Sequence, residues 1–342
     1  VWRTTSVREG PVGEGTGLGI VVSREEASVL DPSDLYAFEG QQPTPEELGR
    51  PALVFAFSGF VDAGSAVRLA VDHLLAVLPH RVLAAFDLDQ FHDYRAQRPP
   101  MVFVQDHWQE YRSPSLLLHE VTDPTGTPFL LLSGPEPDIQ WERFVAAVRQ
   151  LVEHYRVRVS VGLQAIPMAV PHTRPCGLTA HATRRELVEG HRPWVRTLEV
   201  PGNVCGLLEL RLGEVGHDAA GFAVHVPHYL AQAEYPDAAV VLLDATAAVA
   251  GLVLPTGELR ESGNRTRSLV EQQVRDQPEV ATVVSSLEEQ YDTYLRRRAE
   301  TDESGTGSGL DDPEDLPSAE ELGAELERFL AEENRRQGPA EG

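Results

Sequence analysis

Apolar positions along the chain follow two rhythms. From Leu53 to Phe57 (LVFAF) they run without a break, the pattern of a short strand buried on both faces. From Ala66 to Leu78 they recur at helical spacing, at Val67, Leu69, Ala70, Val71, Leu74 and Leu75. Val82 to Phe86 returns to the strand pattern. Strand, helix and strand in such close succession predict a βαβ unit with its two strands paired in parallel.

The same reading predicts strands at Met101–Val104, Ser115–Val121, Pro128–Leu132, Val157–Leu163, near Trp194–Val200 and at Phe222–Val226. Helices are expected at Ile139–Tyr155, from the Gly-rich PGNVCGLLELRLGEVG onward, and as a buried helix at Ala238–Leu254. The segment DPSDLYAFEGQQPTPEELGRP before the first strand reads as a Pro-punctuated connector. Beyond Gly257 the pattern becomes polar. Arg265–Arg275 and Pro278–Arg298 are predicted to form an αα-hairpin, with Pro278 in a first turn where its missing N–H costs nothing.

The expected organisation is a tail or added edge strand at 1–30, an α/β core at 31–257, a helical hairpin at 258–299 and an acidic linker at 300–317. An amphipathic helix and tail complete it at 318–342. Ser318 and Glu321 form a capping box, and Leu322, Leu326, Phe329 and Leu330 make a narrow apolar stripe. Such a stripe needs a partner, which makes this helix a candidate binding element.

Composition narrows the function classes. A chain of 342 residues, 42% apolar, is large enough for one sizeable domain with an appendage. No apolar run approaches the length of a membrane span, and no N-terminal secretion pattern is visible, so the expected location is the cytoplasm. The two cysteines, Cys176 and Cys205, support neither a disulfide framework nor a Cys-based zinc site. Lysine does not occur; every basic side chain other than histidine is arginine. The formal net charge is −24, and residues 300–342 alone carry fourteen Asp/Glu against three Arg. Such a charge argues against nucleic acid and anionic membrane as partners.

Polar loops that follow apolar strands carry the candidate chemistry. SGFVDAGSA supplies Ser58 and Asp62 where a strand hands over to a helix; Asp62 or Ser65 is read first as a helix cap, with anion binding at the helix start as the alternative. FDLDQFHDYRAQRPP brings Asp87, Asp89, His92, Asp93 and Arg95 together. These are read as loop caps and ion pairs in preference to a metal site, because the arginines would neutralise it. SGPEPD offers Asp138 as the N-cap of the next helix. PHTRP carries His172, Thr173 and Arg174, where the histidine is either a backbone-bonded structural residue or a general base. His225 and His228 in HVPH would share a metal only if Pro227 bent the strand. The glycines at 13, 15, 17 and 19 precede a strand-like IVVS rather than a helix, which disfavours a dinucleotide fingerprint. No GxSxG elbow, HExxH or catalytic-cysteine context occurs, so no catalytic residue, metal or cofactor is assigned.

Five of these segments, FSGFVDAGSA, FDLDQFHDYRAQRPPM, SGPEPDIQW, IPMAVPHTRP and VHVPHYLAQAEYP, resemble the actinobacterial branch of the proteasome assembly chaperone family, of the second-subunit type. The resemblance covers about Leu30 to Arg298. It implies a three-layer α/β/α domain of the phosphorylase/hydrolase-like kind with a C-terminal helical segment. It also implies a homo-oligomer, with a trimer as the expected state, that binds proteasome α-type subunits. Some members of the broader family dock through a hydrophobic-Tyr-any tail; GPAEG does not match it, so docking of that kind is not expected here. The leading expectation is therefore a non-catalytic assembly factor. The alternative is an enzyme acting on a small phosphorylated or nucleoside-like ligand in a strand-end crevice, which rests on fold analogy and the clustered polar loops.

Overall fold

Leu53, Phe55 and Phe57 face one side of a strand and Val54 and Ala56 the other, and each set enters a different hydrophobic cluster. That strand, β2 (Ala52–Ser58), lies inside an eight-stranded sheet. The computed structural model describes residues 30–191 and 199–303. The chain divides into Val1–Asp31 and Pro32–Gly342, and every described element belongs to the second unit. The expected tail at 1–30, apart from its last residue, and the expected helix at 318–335 with Leu322, Leu326, Phe329 and Leu330 lie outside the described residues.

The elements begin with β1 (Tyr36–Phe38), a short helix α1 (Pro45–Leu48), β2, α2 (Ala66–Val77) and β3 (His80–Phe86). A separate ribbon follows, β4 (Met101–Val104) with β5 (His107–Tyr111), and then β6 (Leu117–Thr122), β7 (Pro128–Pro135) and α3 (Trp141–His154). Next come β8 (Val159–Met168), β9 (Leu178–Ala182), α4 (Val204–Glu214), β10 (Ala219–Pro227) and α5 (Pro236–Ala250). Two long helices, α6 (Gly257–Asp276) and α7 (Pro278–Glu303), complete the described chain.

The order in the large sheet is β1-β3-β6-β7-β2-β8-β10-β9. Its centre, β7-β2-β8-β10, is parallel, and the flanking pairs are antiparallel. The expected parallel pairing of β2 with β3 therefore does not form. β3 runs in the same direction as β2 but is separated from it by two strands, because the hairpin β6–β7 inserts between them and β7 takes the edge of β2. Asp123 fixes the turn of that hairpin, accepting the N–H groups of Thr125 and Thr127, both at 2.9 Å.

Helices α2 and α5 cover one face of the sheet, packing Val67, Leu74, Leu242 and Leu243 against Val54, Val161 and Val224. On the other face α3 and α4 bring Phe144, Val148 and Leu208 against Phe55, Phe57 and Leu132. This is the expected three-layer α/β/α arrangement with C-terminal helices.

Three strands lie beyond the sequence pattern. β1 falls inside the expected connector, and β5 and β9 have no counterpart among the expected strands. The strand expected near Trp194–Val200 falls mainly on residues 192–198, outside the described residues, while Glu199 and Val200 are not in a strand. Helix α6 starts at Gly257 rather than Arg265, and α7 runs on to Glu303.

Candidate functional site

The four polar loops singled out in the sequence all leave the carboxyl ends of strands that run in one direction, β2, β3, β7 and β8. Three of them reach one cleft, through Ser58 of the first, His92, Gln97 and Arg98 of the second and Ser133 and Pro135 of the third, while PHTRP stays apart from it. Within and between the loops the side chains make three hydrogen-bonded arrangements.

The first is the turn after β2. Asp62 Oδ1 accepts the Val67 N–H at 2.7 Å and so caps the start of α2, as expected of it. Ser65 takes a left-handed conformation and makes no side-chain cap. Between them Gly64 has φ 65°, and a Cβ there would lie 2.9 Å from the Tyr235 Cβ, so the tight passage from strand to helix requires glycine. Burial pushes the Asp62 carboxyl up to about 6, against the bonds from the helix start that favour its ionised form.

The second joins the loops after β3 and β7. Asp87 accepts the Asp89 N–H, Asp89 accepts the Tyr94 hydroxyl at 2.7 Å, and Asp93 accepts the Arg95 N–H at 2.8 Å. Asp138 does not cap α3, as the sequence suggested. The N-cap position is Gln140, whose left-handed backbone carries Asp138 away from the helix axis. Asp138 crosses instead to the neighbouring loop, where Oδ2 accepts the Asp93 N–H at 2.6 Å and Oδ1 accepts the Gln97 amide at 3.2 Å. Its neighbour Glu136 accepts the Val204 N–H at 2.7 Å, at the start of α4. The acidic groups here are loop latches. Among the described residues no group of three or more His, Cys, Asp or Glu side chains is placed to hold a metal ion.

The third is PHTRP after β8. The Tyr229 hydroxyl accepts the His172 N–H at 2.8 Å and lies 2.7 Å from the His172 Nδ1. His172 is buried, and burial holds its imidazole below the usual range. Thr173 donates to Glu288, and Arg174 forms a two-pronged pair with Asp292, both acids lying on α7. This loop is the dock for α7, whose Val284, Leu287 and Tyr291 are buried at helical spacing. His225 sits inside β10 with its Nε2 2.8 Å from the Thr179 hydroxyl, and burial pushes its imidazole down to about 4.

Two features escape the sequence pattern. The first is the part of that cleft that lies beside α2, where Val67, Val71 and Leu75 face the loop residues Ser58, His92 and Arg98. The second is the β4–β5 ribbon. Met101 opposes Tyr111 and Phe103 opposes Trp108, with the last two rings 5.0 Å apart, edge to face. All four side chains are about half exposed or more, from 49% for Met101 to 63% for Trp108. The signal is present in MVFV and HWQEY, but in the second strand aromatic and charged residues do not alternate, so the pairing is not apparent from sequence.

The profile of the PAC2 family matches residues 56–274. Among solved structures, a Mycobacterium tuberculosis protein of unknown function is 45% identical, the match covering 78% of this chain and 92% of that one, with a TM-score of 0.76. A Corynebacterium glutamicum protein of unknown function is 37% identical over 77% of this chain and 99% of that one, with a TM-score of 0.70. A Mycobacterium tuberculosis proteasome-assembly chaperone homologue is 25% identical over 68% of this chain and 99% of that one, with a TM-score of 0.63. No curated protein matches the chain. Among the described residues no helix is long and apolar enough to cross a membrane.

Proposed function

The chain belongs to the PAC2 family, and on that premise we propose that it is a non-catalytic, cytoplasmic assembly factor whose clients are proteasome α-type subunits. The observation that carries this reading is the β4–β5 ribbon. A two-stranded ribbon is marginal on its own, and this one keeps its four largest apolar side chains in water. Contiguous exposed apolar surface of this kind marks a site where another protein binds. Aromatic pairs such as Phe103 and Trp108 are the residue types that dominate binding energy once covered. The similarity to a proteasome-assembly chaperone homologue from Mycobacterium tuberculosis supports a proteasome client, and the resemblance of the five sequence segments supports the choice of α-type subunits.

The same reading takes the protein to act as a homotrimer and assigns the 318–335 segment, through Leu322, Leu326, Phe329 and Leu330, a supporting role in holding the client. Affinity purification of the tagged protein from the cells that encode it, with mass spectrometry of the co-purifying chains, tests the proposal. Recovery of α-type subunits is expected. Recovery of other proteins without them would reject the client.

A further inference from the structure

Helix α2 does not span its whole face of the sheet, and beside it lies a cleft of about 570 Å³. Its floor is made by Ala56 on β2, Leu117 and His119 on β6, and Ser133 on β7. One wall is α2, with Val67, Val71 and Leu75 presenting an apolar side. The opposite wall is the segment that leads into and out of the ribbon. There the Arg112 N–H donates to the Pro100 carbonyl at 3.1 Å, so the stretches carrying Arg98 and Arg112 lie side by side. The volume falls within the range of roughly 300–1,000 Å³ typical of small-molecule sites.

Three observations describe what would fill it. In a protein of net charge −24, the lining of the cleft holds three arginines, Arg68, Arg98 and Arg112, against Asp72 as its one acid. Two of these arginines have donors to spare. Arg68 is bonded to Asp72 and Glu234, but Arg112 uses only its Nε, on Glu110, and Arg98 is exposed and has no partner among the described residues. Finally, two buried imidazole nitrogens on the lining, His119 Nδ1 and His92 Nδ1, have no hydrogen-bond partner. His92 Nδ1 lies 3.3 Å from the Asp138 Oδ2, out of line for a hydrogen bond. Burial and the neighbouring His80 push the His119 imidazole down, against a backbone bond to Leu131, which favours the neutral ring with one donor and one acceptor nitrogen. A buried polar atom left unpaired is costly, and a polar ligand group or water at the floor removes that cost.

We infer that this cleft binds a small organic anion, its acid group held between Arg98 and Arg112 and its apolar body laid along Val67, Val71 and Leu75. The acid group is a carboxylate or a phosphate, both of which a guanidinium fork accepts. A second polar group on the ligand would reach His119. The site is independent of the ribbon's exposed face and adds a small-molecule input to an assembly factor.

Calorimetric titration of the full chain with octanoate and with 1-naphthyl phosphate tests the inference and separates the two acids. Octanol and inorganic phosphate, which each keep half of the proposed chemistry, serve as controls. Binding of at least one of the two anions is expected, and the double variant Arg98→Ala/Arg112→Ala should weaken it by about tenfold or more, since these would be charge-assisted hydrogen bonds. Both side chains are exposed and are expected to be dispensable for folding. Val71→Phe, which fills the apolar wall, should weaken the same ligand while leaving the arginines in place. The inference is overturned if neither anion binds, if octanol binds as tightly as octanoate, or if the double variant binds unchanged.

Discussion

Arg174 holds Asp292 through two parallel hydrogen bonds, Nε to Oδ1 at 2.9 Å and Nη2 to Oδ2 at 2.8 Å. The first residue belongs to the loop after β8 and the second to α7, 118 positions later. A loop whose histidine reads from the sequence as either a backbone-bonded structural residue or a general base is therefore the clamp that seats a helix.

Breaking that clamp should loosen α7 without unfolding the sheet. Arg174→Ala is expected to raise amide hydrogen exchange across Val284–Tyr291 while β2 and β8 stay protected. Arg174→Lys should not restore protection, because an ammonium group cannot make the two-pronged pair. Unchanged exchange in α7 for Arg174→Ala would show that the apolar stripe alone holds the helix.

Asp62 gives a pH signature. Its folded carboxyl holds a proton up to about pH 6, whereas the unfolded one releases it near 3.8. Between those values the folded state binds more protons, so this group makes stability fall as pH rises through the window, and the loss persists above it. Asp62→Asn keeps an oxygen for the Val67 N–H and removes the ionisation. Relative to the parent, the variant should gain on the order of 1–2 kcal/mol between pH 4 and pH 7, after discounting for solvent. Parallel stability curves for the two proteins would contradict this.

His225 has the opposite sign. Its imidazole is held down to about 4 by burial, so the unfolded state binds the extra proton between about pH 6.5 and 4 and stability falls on acidification through that range. The ring should remain neutral at pH 5 when followed by NMR. A titration midpoint near 6.5 would mean that water reaches it.

Gly162 is fixed by a neighbour rather than by its own backbone. It pairs with Phe55 across β2 and β8, and a Cβ would fall 2.6 Å from the ring. Gly162→Ala should cost about 1–3 kcal/mol through overpacking, and Phe55→Leu should offset part of that cost in the double variant. Chemical denaturation of the two single variants and the double variant measures the coupling.

Much of the scaffold is legible in the sequence because burial leaves a periodic trace. The unbroken LVFAF run, the α2 and α3 faces and the polar change after Gly257 all reappear as elements. Strand order is not legible, since periodicity does not reveal that β6–β7 inserts between β3 and β2. β9, half-buried throughout, and β5, exposed throughout, lack a buried face that alternates. The early part of α6 is hidden by Gly257 and Gly263, the second of which packs against Asp237. At the loops, residue type is a good guide to hydrogen bonding and a poor guide to partner. Asp138 has the character of a cap but bonds to a loop 45 positions away, a choice made by the tertiary fold.

The central claim is that the β4–β5 ribbon binds a proteasome α-type subunit. Its most direct test is co-elution of the purified chain with purified α-type subunits, for the parent and for Phe103→Ser/Trp108→Ser. Both side chains are more than half exposed, so the variant should keep the parent's melting temperature. The account predicts a stable complex with the parent and at least a tenfold loss of affinity in the variant, the scale of one or more lost binding hot spots. No complex with the parent, or equal binding by a folded variant, would contradict it.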